Sequence, residues 1–213
     1  MRVSEPGFVG GDKESILLPA VQTSLMKALK ASGKPVIFVM MTGSAIATPW
    51  ESENIPVILN AWYGGQAAGQ AVADILFGDF NPSGRLPVTF YKSDTDLPDF
   101  VDYSMKNRTY RYFKGQPLYG FGYGLSFTRF DYGKIRMRGR AKQGKPISVS
   151  TRVKNVGDRS GDEIVQLYVS AENGDGDLPL KSLKAFEKIH LSPGETKEVK
   201  FLLSGDDLSY IVA

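Results

Sequence analysis

Catalysis by side chains needs carboxylates, histidines, cysteines or activated hydroxyls, and here the choice is narrow. The chain has no cysteine and one histidine, His190. That excludes disulfides, thiolate metal sites and any paired-histidine metal motif, and it argues against a histidine-based triad. Carboxylates remain. Glu5, in Ser-Glu-Pro-Gly, is a weak candidate for a general acid, since partial burial of its loop would raise its pKa. A solvated glutamate is the plainer reading. Asp12 follows two glycines and precedes a polar turn, so it suits either a sugar hydroxyl or neighbouring base, or the cap of a helical turn. The cap has the larger share. Glu14, Glu51 and Glu53 lie in polar contexts, where exposure is the default. His190 sits in an alternating segment and reads as a structural histidine.

Aromatic and guanidinium groups offer binding rather than bond-making. Tyr103, Arg108, Tyr110, Arg111 and Tyr112 form one such cluster. Sugar sites use aromatic faces and guanidinium donors, but a connector strapped by stacking and hydrogen bonds explains the cluster slightly better. Trp50 and Trp62 face the same choice. Trp62 follows an apolar strand, and ligands of α/β sheets gather at the carboxyl ends of strands. Gly64, Gly65 and Gly69 do not match a dinucleotide or phosphate loop in their spacing. They read as small residues that let a helix approach a sheet. Asn81-Pro-Ser-Gly84 reads as a turn.

The elements that must position these groups change character near residue 130. Before it, helix and strand patterns alternate. Residues 19–33 predict a helix, with Val21, Leu25, Met26 and Leu29 on one face. The apolar run in 34–44 predicts a strand buried on both faces, as in a parallel sheet. Residues 55–63 predict a second buried strand. Residues 65–78 predict a helix with Ala68, Val72, Ile75 and Leu76 inward, and 85–91 a third short strand. Residues 92–129 carry no clear period. From Phe130 on, alternation takes over, with Ile147, Val149, Thr151 and Val153 on one face and Val165, Leu167 and Val169 on another. Turns are expected at 155–157, 173–176 and 193–195. The expected fold is therefore an α/β layer with a mostly parallel sheet, followed by an all-β sandwich.

Composition bounds the partners. The net charge is +3 with both signs interspersed, so nucleic-acid or membrane-surface binding has no positive support. No apolar run approaches the ~20 residues of a membrane span. The first residues lack the apolar core of a signal peptide, which leaves localisation open.

Five segments in order carry a resemblance: "GGDKESILLPAVQ", "AWYGGQAAGQAVADILFGDFNPSGRLPVTFY", "PLYGFGYGLSFT", "VKNVGDRSGDEIVQLYV" and "LKAFEKIHLSPGE". Together they resemble the C-terminal part of family 3 glycoside hydrolases, the retaining β-glucosidases and β-xylosidases. The Gln66-Ala67 form leans to the xylosidase side. The resemblance implies residues 1–92 as the end of an α/β sandwich domain, 93–129 as a packed connector, and 130–213 as a fibronectin type III-like domain lacking its last strand. It implies an exo-acting hydrolase of β-linked glucose or xylose, a β-linked oligosaccharide as substrate, and no cofactor or metal. Full-length relatives are often periplasmic or secreted. In the family the nucleophilic aspartate lies in an N-terminal barrel that this sequence does not contain. The acid glutamate precedes a Gly-Asp-Arg-like motif, here Gly11-Asp12-Lys13, which puts it at or before Met1. Asp12, Trp62, Arg108 and Tyr110 are then the candidates nearest substrate. The isolated chain is expected to be inactive, to need a partner carrying the barrel, and to self-associate through open sheet edges. A non-catalytic accessory module is the alternative, and a cell-surface adhesion sandwich a third.

Overall fold

The computed structural model describes residues 15–99, 101–139, 145–171 and 178–209. The chain divides into two compact units, one of residues 1–73 and 87–121, the other of 74–86 and 122–213.

In the first unit the order is α1 (Ala20–Ala31), β1 (Ile37–Met40), α2 (Pro49–Asn54), β2 (Val57–Asn60), the start of α3 (Ala68–Phe77) and, later, α4 (Thr109–Tyr112). Pro19 opens α1, and Gly33, at φ 72°, supplies the left-handed residue that lets the chain leave it. β1 and β2 pair in parallel, Ile37 opposite Val57 and Met40 opposite Asn60. The apolar runs predict burial on both faces, and the structure differs. Phe38 and Met40 are buried, while Ile37 and its partner Val57 are exposed. The physical reason is cover: the described residues bury one face of this strand pair and leave the start of the other open to solvent.

Helix α1 carries the same signature. Of the predicted face, Met26 is half-buried, while Val21, Leu25 and Leu29 are 75%, 56% and 42% exposed. Its polar side makes the contacts. Thr23 Oγ1 donates to Glu51 Oε1 at 2.7 Å, Lys30 Nζ donates to Asn54 Oδ1 at 2.6 Å, and Lys27 and Lys30 lie over the Trp50 ring. In α3, Ala68, Val72 and Ile75 are half-buried, but Leu76 is exposed rather than inward.

The second unit is a β-sandwich. Its strands are β3 (Phe130–Tyr132), β4 (Arg136–Arg138), β5 (Ile147–Asn155), β6 (Gly161–Val169), β7 (Ser182–Leu191) and β8 (Thr196–Leu203). β5 is central to one antiparallel sheet and pairs with β3, β4 and β8. β6 and β7 form the second, with a bulge between Leu167 and Tyr168. Val153 and Val199 from the first sheet meet Val165, Ile189 and Leu191 from the second, with Phe130 and Phe201 packed alongside. On β5 the buried Val149 and Val153 belong to the alternating set that the sequence predicts.

Asn155, expected in a turn, is the last residue of β5 and fully buried. Its Oδ1 accepts from Thr128 Oγ1 and Gly157 N–H, and its Nδ2 donates to Arg159 O and Leu191 O. Donors and acceptor alike are satisfied, which is the condition for burying an amide. The turn expected at 173–176 lies outside the described residues. At 193–195, Gly194 takes φ 77° and Glu195 Oε2 accepts from Ser192 N–H, as a turn requires.

The third expected strand, 85–91, is not one. Only Phe90 forms a bridge, to Tyr119. Pro87 has no N–H to give a ladder, and Leu86 instead exchanges bonds with the backbone of Tyr123 and Gly122. Up to Leu86 the segment is a strap within the second unit. Asn81 pins it: Oδ1 accepts from Ser126 Oγ and Phe127 N–H, and Nδ2 donates to Ser160 O. Gly122, at φ 80°, passes beside Gln166 and Tyr168, where a Cβ would collide with both side chains.

Candidate functional site

The carboxyl ends of β1 and β2 are the place in the first unit where a parallel sheet offers a ligand-binding edge. Ala61 N–H donates to Met40 O at 2.9 Å and closes the ladder. The chain then turns sharply. Trp62 adopts φ 53°, a left-handed conformation that an aromatic residue rarely holds. Trp62 is half-buried, and its ring meets Phe90 edge-on at 6.1 Å. Phe90, 1% exposed, meets Tyr119 the same way at 6.2 Å. Tyr63 projects its ring over Gly43, where a Cβ would come within 2.6 Å of Cε2, so the loop after β1 needs glycine for that ring to sit there. Asn60 and Thr89 each bury side-chain polar atoms that have no hydrogen-bond partner among the described residues.

Arg108 and Tyr110 lie in the first unit within a tightly organised loop. Arg108 turns Nε to Ser104 O and Nη2 to Asp99 O and Asp102 O. Its neighbours Asn107 and Thr109 both take positive φ, 57° and 56°. Strain at a β-branched residue persists only where surroundings over-determine it. Here Tyr91 Oη accepts from Thr109 N–H, and Tyr91 meets Phe113 edge-on at 4.9 Å. Tyr110 stacks on Phe121 with ring centroids 4.2 Å apart. Arg108 thus spends Nε and Nη2 on carbonyls of its own loop, and Tyr110 stacks one face of its ring on a neighbour. Tyr103 is exposed. Glu5 and Asp12 lie outside the described residues.

Among the described residues two carboxylates are enclosed, one in each unit. Glu51, expected in solvent, is buried and receives the Thr23 hydroxyl. Glu163, on β6, receives Arg85 Nη2 at 2.7 Å and Tyr132 Oη at 2.9 Å, with Arg85 and Glu163 side chains 12% and 10% exposed. Burial, and then the adjacent Glu163 charge, push the Tyr132 hydroxyl well above the ordinary phenol range. Sequence reading missed this triad, because Arg85 and Glu163 are 78 residues apart. The arginine in Asn-Pro-Ser-Gly-Arg was the available signal, a charge inside an otherwise apolar and turn-forming run.

His190 stands exposed on β7, its Nδ1 2.7 Å from Asp162 Oδ1, while Lys188 Nζ holds Asp162 Oδ2 at 2.7 Å. The hydrogen bond from Lys188 holds the Asp162 carboxyl below its usual range. Among the described residues no three His, Asp or Glu side chains gather as metal ligands, and no helix is long and apolar enough to cross a membrane.

Residues 4–127 match the glycosyl hydrolase family 3 C-terminal domain, and residues 163–213 a fibronectin type III-like domain. The chain is 49% identical over 211 residues to a xylan 1,4-beta-xylosidase of Xylanibacter ruminicola, covering 99% of this chain and 24% of that protein. It is 38% identical to a periplasmic beta-glucosidase of Salmonella typhimurium, covering 93% of this chain and 28% of that one. Among solved structures, a β-glucosidase from Erythrobacter marinus superposes with a TM-score of 0.84 at 38% identity, over 96% of this chain and 28% of that one. β-Glucosidase 3B from Thermotoga neapolitana, in complex with glucose, superposes at 0.83 with 34% identity, over 92% of this chain and 30% of that one. The chain therefore spans 24% and 28% of the length of the two curated relatives.

Proposed function

We propose that this chain, which belongs to glycosyl hydrolase family 3, serves as the C-terminal portion of a retaining, exo-acting β-glycosidase. Its substrates are terminal β-linked glucose or xylose on oligosaccharides, and the barrel with its aspartate nucleophile is supplied outside these residues. One observation carries the reading. The first unit is an α/β layer with apolar positions uncovered: Ile37 and Val57 on the sheet, Val21, Leu25 and Leu29 on α1. Parallel sheets are stable when covered on both faces. A longer family member has chain available to cover these positions.

The chemistry supports the same division. Retaining hydrolysis needs two carboxyl groups about 5–5.5 Å apart, one as nucleophile and one as acid. The enclosed carboxylates described above are otherwise engaged, Glu51 with Thr23 and Glu163 with Arg85 and Tyr132. On this reading the chain alone turns over no glycoside. Glu5 remains the weak candidate for the acid within this sequence, and Asp12, Trp62, Arg108 and Tyr110 belong to the substrate side. Acid–base hydrolysis of this kind asks for no cofactor.

The second reading is a non-catalytic accessory module that joins a separately made barrel. The exposed apolar stripe of α1 favours it. One experiment addresses both. The chain is mixed with a polypeptide covering the remaining part of the 49%-identical xylosidase, and hydrolysis of p-nitrophenyl β-xyloside and β-glucoside is followed. Turnover in the mixture and not in either part supports the proposal. Turnover by this chain alone, lost on Glu5→Gln, overturns it.

A further inference from the structure

We infer that the outer face of the sheet formed by β3, β4, β5 and β8 is a docking surface for an acidic polysaccharide, a glycan that carries carboxylate groups at intervals, held by Arg136, Arg138, Arg152 and Lys200. The inference rests on the glycosidase reading for the class of partner and adds to it a binding surface in the second unit.

Strand register builds the face. On β5 the buried Val149, Val153 and Asn155 point inward, so Ser148, Ser150, Arg152 and Lys154 point outward. Residues directly opposite each other across a ladder share a face. Arg136 and Arg138 of β4 stand opposite Ser150 and Ser148, and Lys200 of β8 stands opposite Ser150 from the other side. One row therefore runs Arg136, Ser150, Lys200, with Arg138 beside it. Arg152 faces Glu198, and Lys154 faces Asp131. The sequence scatters these cations from position 136 to position 200, and the topology gathers them.

The cations here are unspent. Arg136, Arg138, Arg152, Lys154 and Lys200 are exposed, and none of them enters an ion pair among the described residues. The ion pairs of this unit lie elsewhere, at Arg85–Glu163, at Lys197–Glu195 and around Asp162. Glu198 receives Ser150 Oγ at 3.3 Å rather than pairing with Arg152. Charged side chains protect the edges of a sheet, but that role does not account for Arg152 and Lys154 on the central strand β5. Nor does it call for like charges on both sides of Ser150, which repel one another.

The chemistry selects the partner. Guanidinium forks bind carboxylates through paired hydrogen bonds, and Arg136 and Arg138 stand two residues apart on one strand, about 7 Å. Ser148 and Ser150 lie between these arginines and β8. Their hydroxyls both donate and accept, as sugar hydroxyls require. A nucleic acid is disfavoured. Its charges are dense, about one per 1.7 Å of duplex, and Glu198 and Asp131 stand among the cations. The rings on these strands, Phe130, Tyr132 and Phe201, lie opposite the inward residues of β5, so they offer bases no platform on the outer face. A membrane surface is disfavoured as well, because Leu202 is the one apolar side chain that register places on this face. A polysaccharide with spaced carboxylates can meet the cations and bypass Glu198.

The test uses the full 213-residue chain with polygalacturonate oligomers, the same oligomers methyl-esterified, a DNA duplex and phosphatidylserine vesicles. Calorimetry should show saturable binding to polygalacturonate that weakens as NaCl rises. Esterification keeps the sugar, removes the charge and should abolish binding. Arg136→Gln with Arg152→Gln and Lys200→Gln should weaken it about tenfold or more. Lys92→Gln with Lys106→Gln and Lys114→Gln removes the same charge from the first unit and should leave binding unchanged. Lysine acylation read by mass spectrometry needs no substitution and decides the matter if a variant misfolds: polygalacturonate should protect Lys154 and Lys200 but not Lys106 or Lys114. The inference is overturned by a folded chain that does not bind polygalacturonate, by equal weakening in both triple variants, by acylation of Lys154 and Lys200 that polygalacturonate leaves unchanged, or by tighter binding to the duplex or the vesicles. The complementation assay uses neutral glycosides and judges the glycosidase reading separately. The Arg136, Arg152 and Lys200 variant should complement as the parent does, so either idea can fail while the other stands.

Discussion

Replacing Arg85 by methionine isolates the most enclosed ion pair described in the second unit. Arg85 Nη2 lies 2.7 Å from Glu163 Oε2, and its Nη1 donates to Ser83 O and Gly84 O at 3.2 and 3.1 Å. At an effective dielectric near 20, a charge pair at that separation attracts by about 6 kcal/mol. Most of this is offset by the cost of taking two ions out of water, which runs to several kcal/mol each. The pair as a whole is therefore close to neutral for stability, while its halves are not. Methionine at position 85 would leave the Glu163 carboxylate, only 10% exposed, with the Tyr132 hydroxyl as its remaining described bond. Breaking an enclosed pair from one side costs about 3–5 kcal/mol. Removing both charges, as Arg85→Met with Glu163→Leu, abolishes the stranded ion and recovers at least about 2 kcal/mol of that loss. Urea unfolding followed by circular dichroism, with all four members of the cycle compared at constant m-value, reads the coupling. An Arg85→Met variant within about 0.5 kcal/mol of the parent, or strict additivity in the double variant, would refute the argument that this charge holds the strap.

Folding raises the Tyr132 pKa, so the folded state binds the phenolic proton more tightly than the unfolded one; that stability is whole below about pH 10 and is lost as pH rises beyond it. Tyr132→Phe should flatten the alkaline end of a Tm-against-pH curve, and an unchanged curve would contradict the assignment. Folding lowers the Asp162 pKa, chiefly through the Lys188 hydrogen bond, so that contribution is present above about pH 4 and fades as pH falls. Asp162→Asn should flatten the acid limb, measured the same way. Asn155→Ala removes the amide's bonds to Thr128 Oγ1, Gly157 N–H, Arg159 O and Leu191 O and strands all of these groups. The expected loss is about 3 kcal/mol or more by chemical unfolding, and a loss under about 1 kcal/mol would show that water replaces the amide freely.

Periodicity and turn chemistry made much of the architecture legible. The helix over 19–33, the strands near 37 and 57, the inward set of β5 and the change of character near residue 130 all follow from spacing alone, because a 3.6- or 2-residue repeat dictates which side chains share a face. The lack of cysteine and the lone histidine narrowed the chemistry before any fold was known. Spacing does not say what lies over a face. Val21, Leu25 and Leu29 form a stripe in either case, and only the packing shows that α1 meets its neighbour through Thr23 and Lys30 and leaves the stripe in solvent. The same limit hid the Arg85–Glu163 pair, the role of Asn155 and the left-handed turn at Trp62. Each depends on a partner far along the chain or on a backbone angle that no residue type demands. Local propensity assigns the elements; long-range contacts decide which polar groups are spent on structure and which, like the Asn60 amide, are buried with no partner among the described residues.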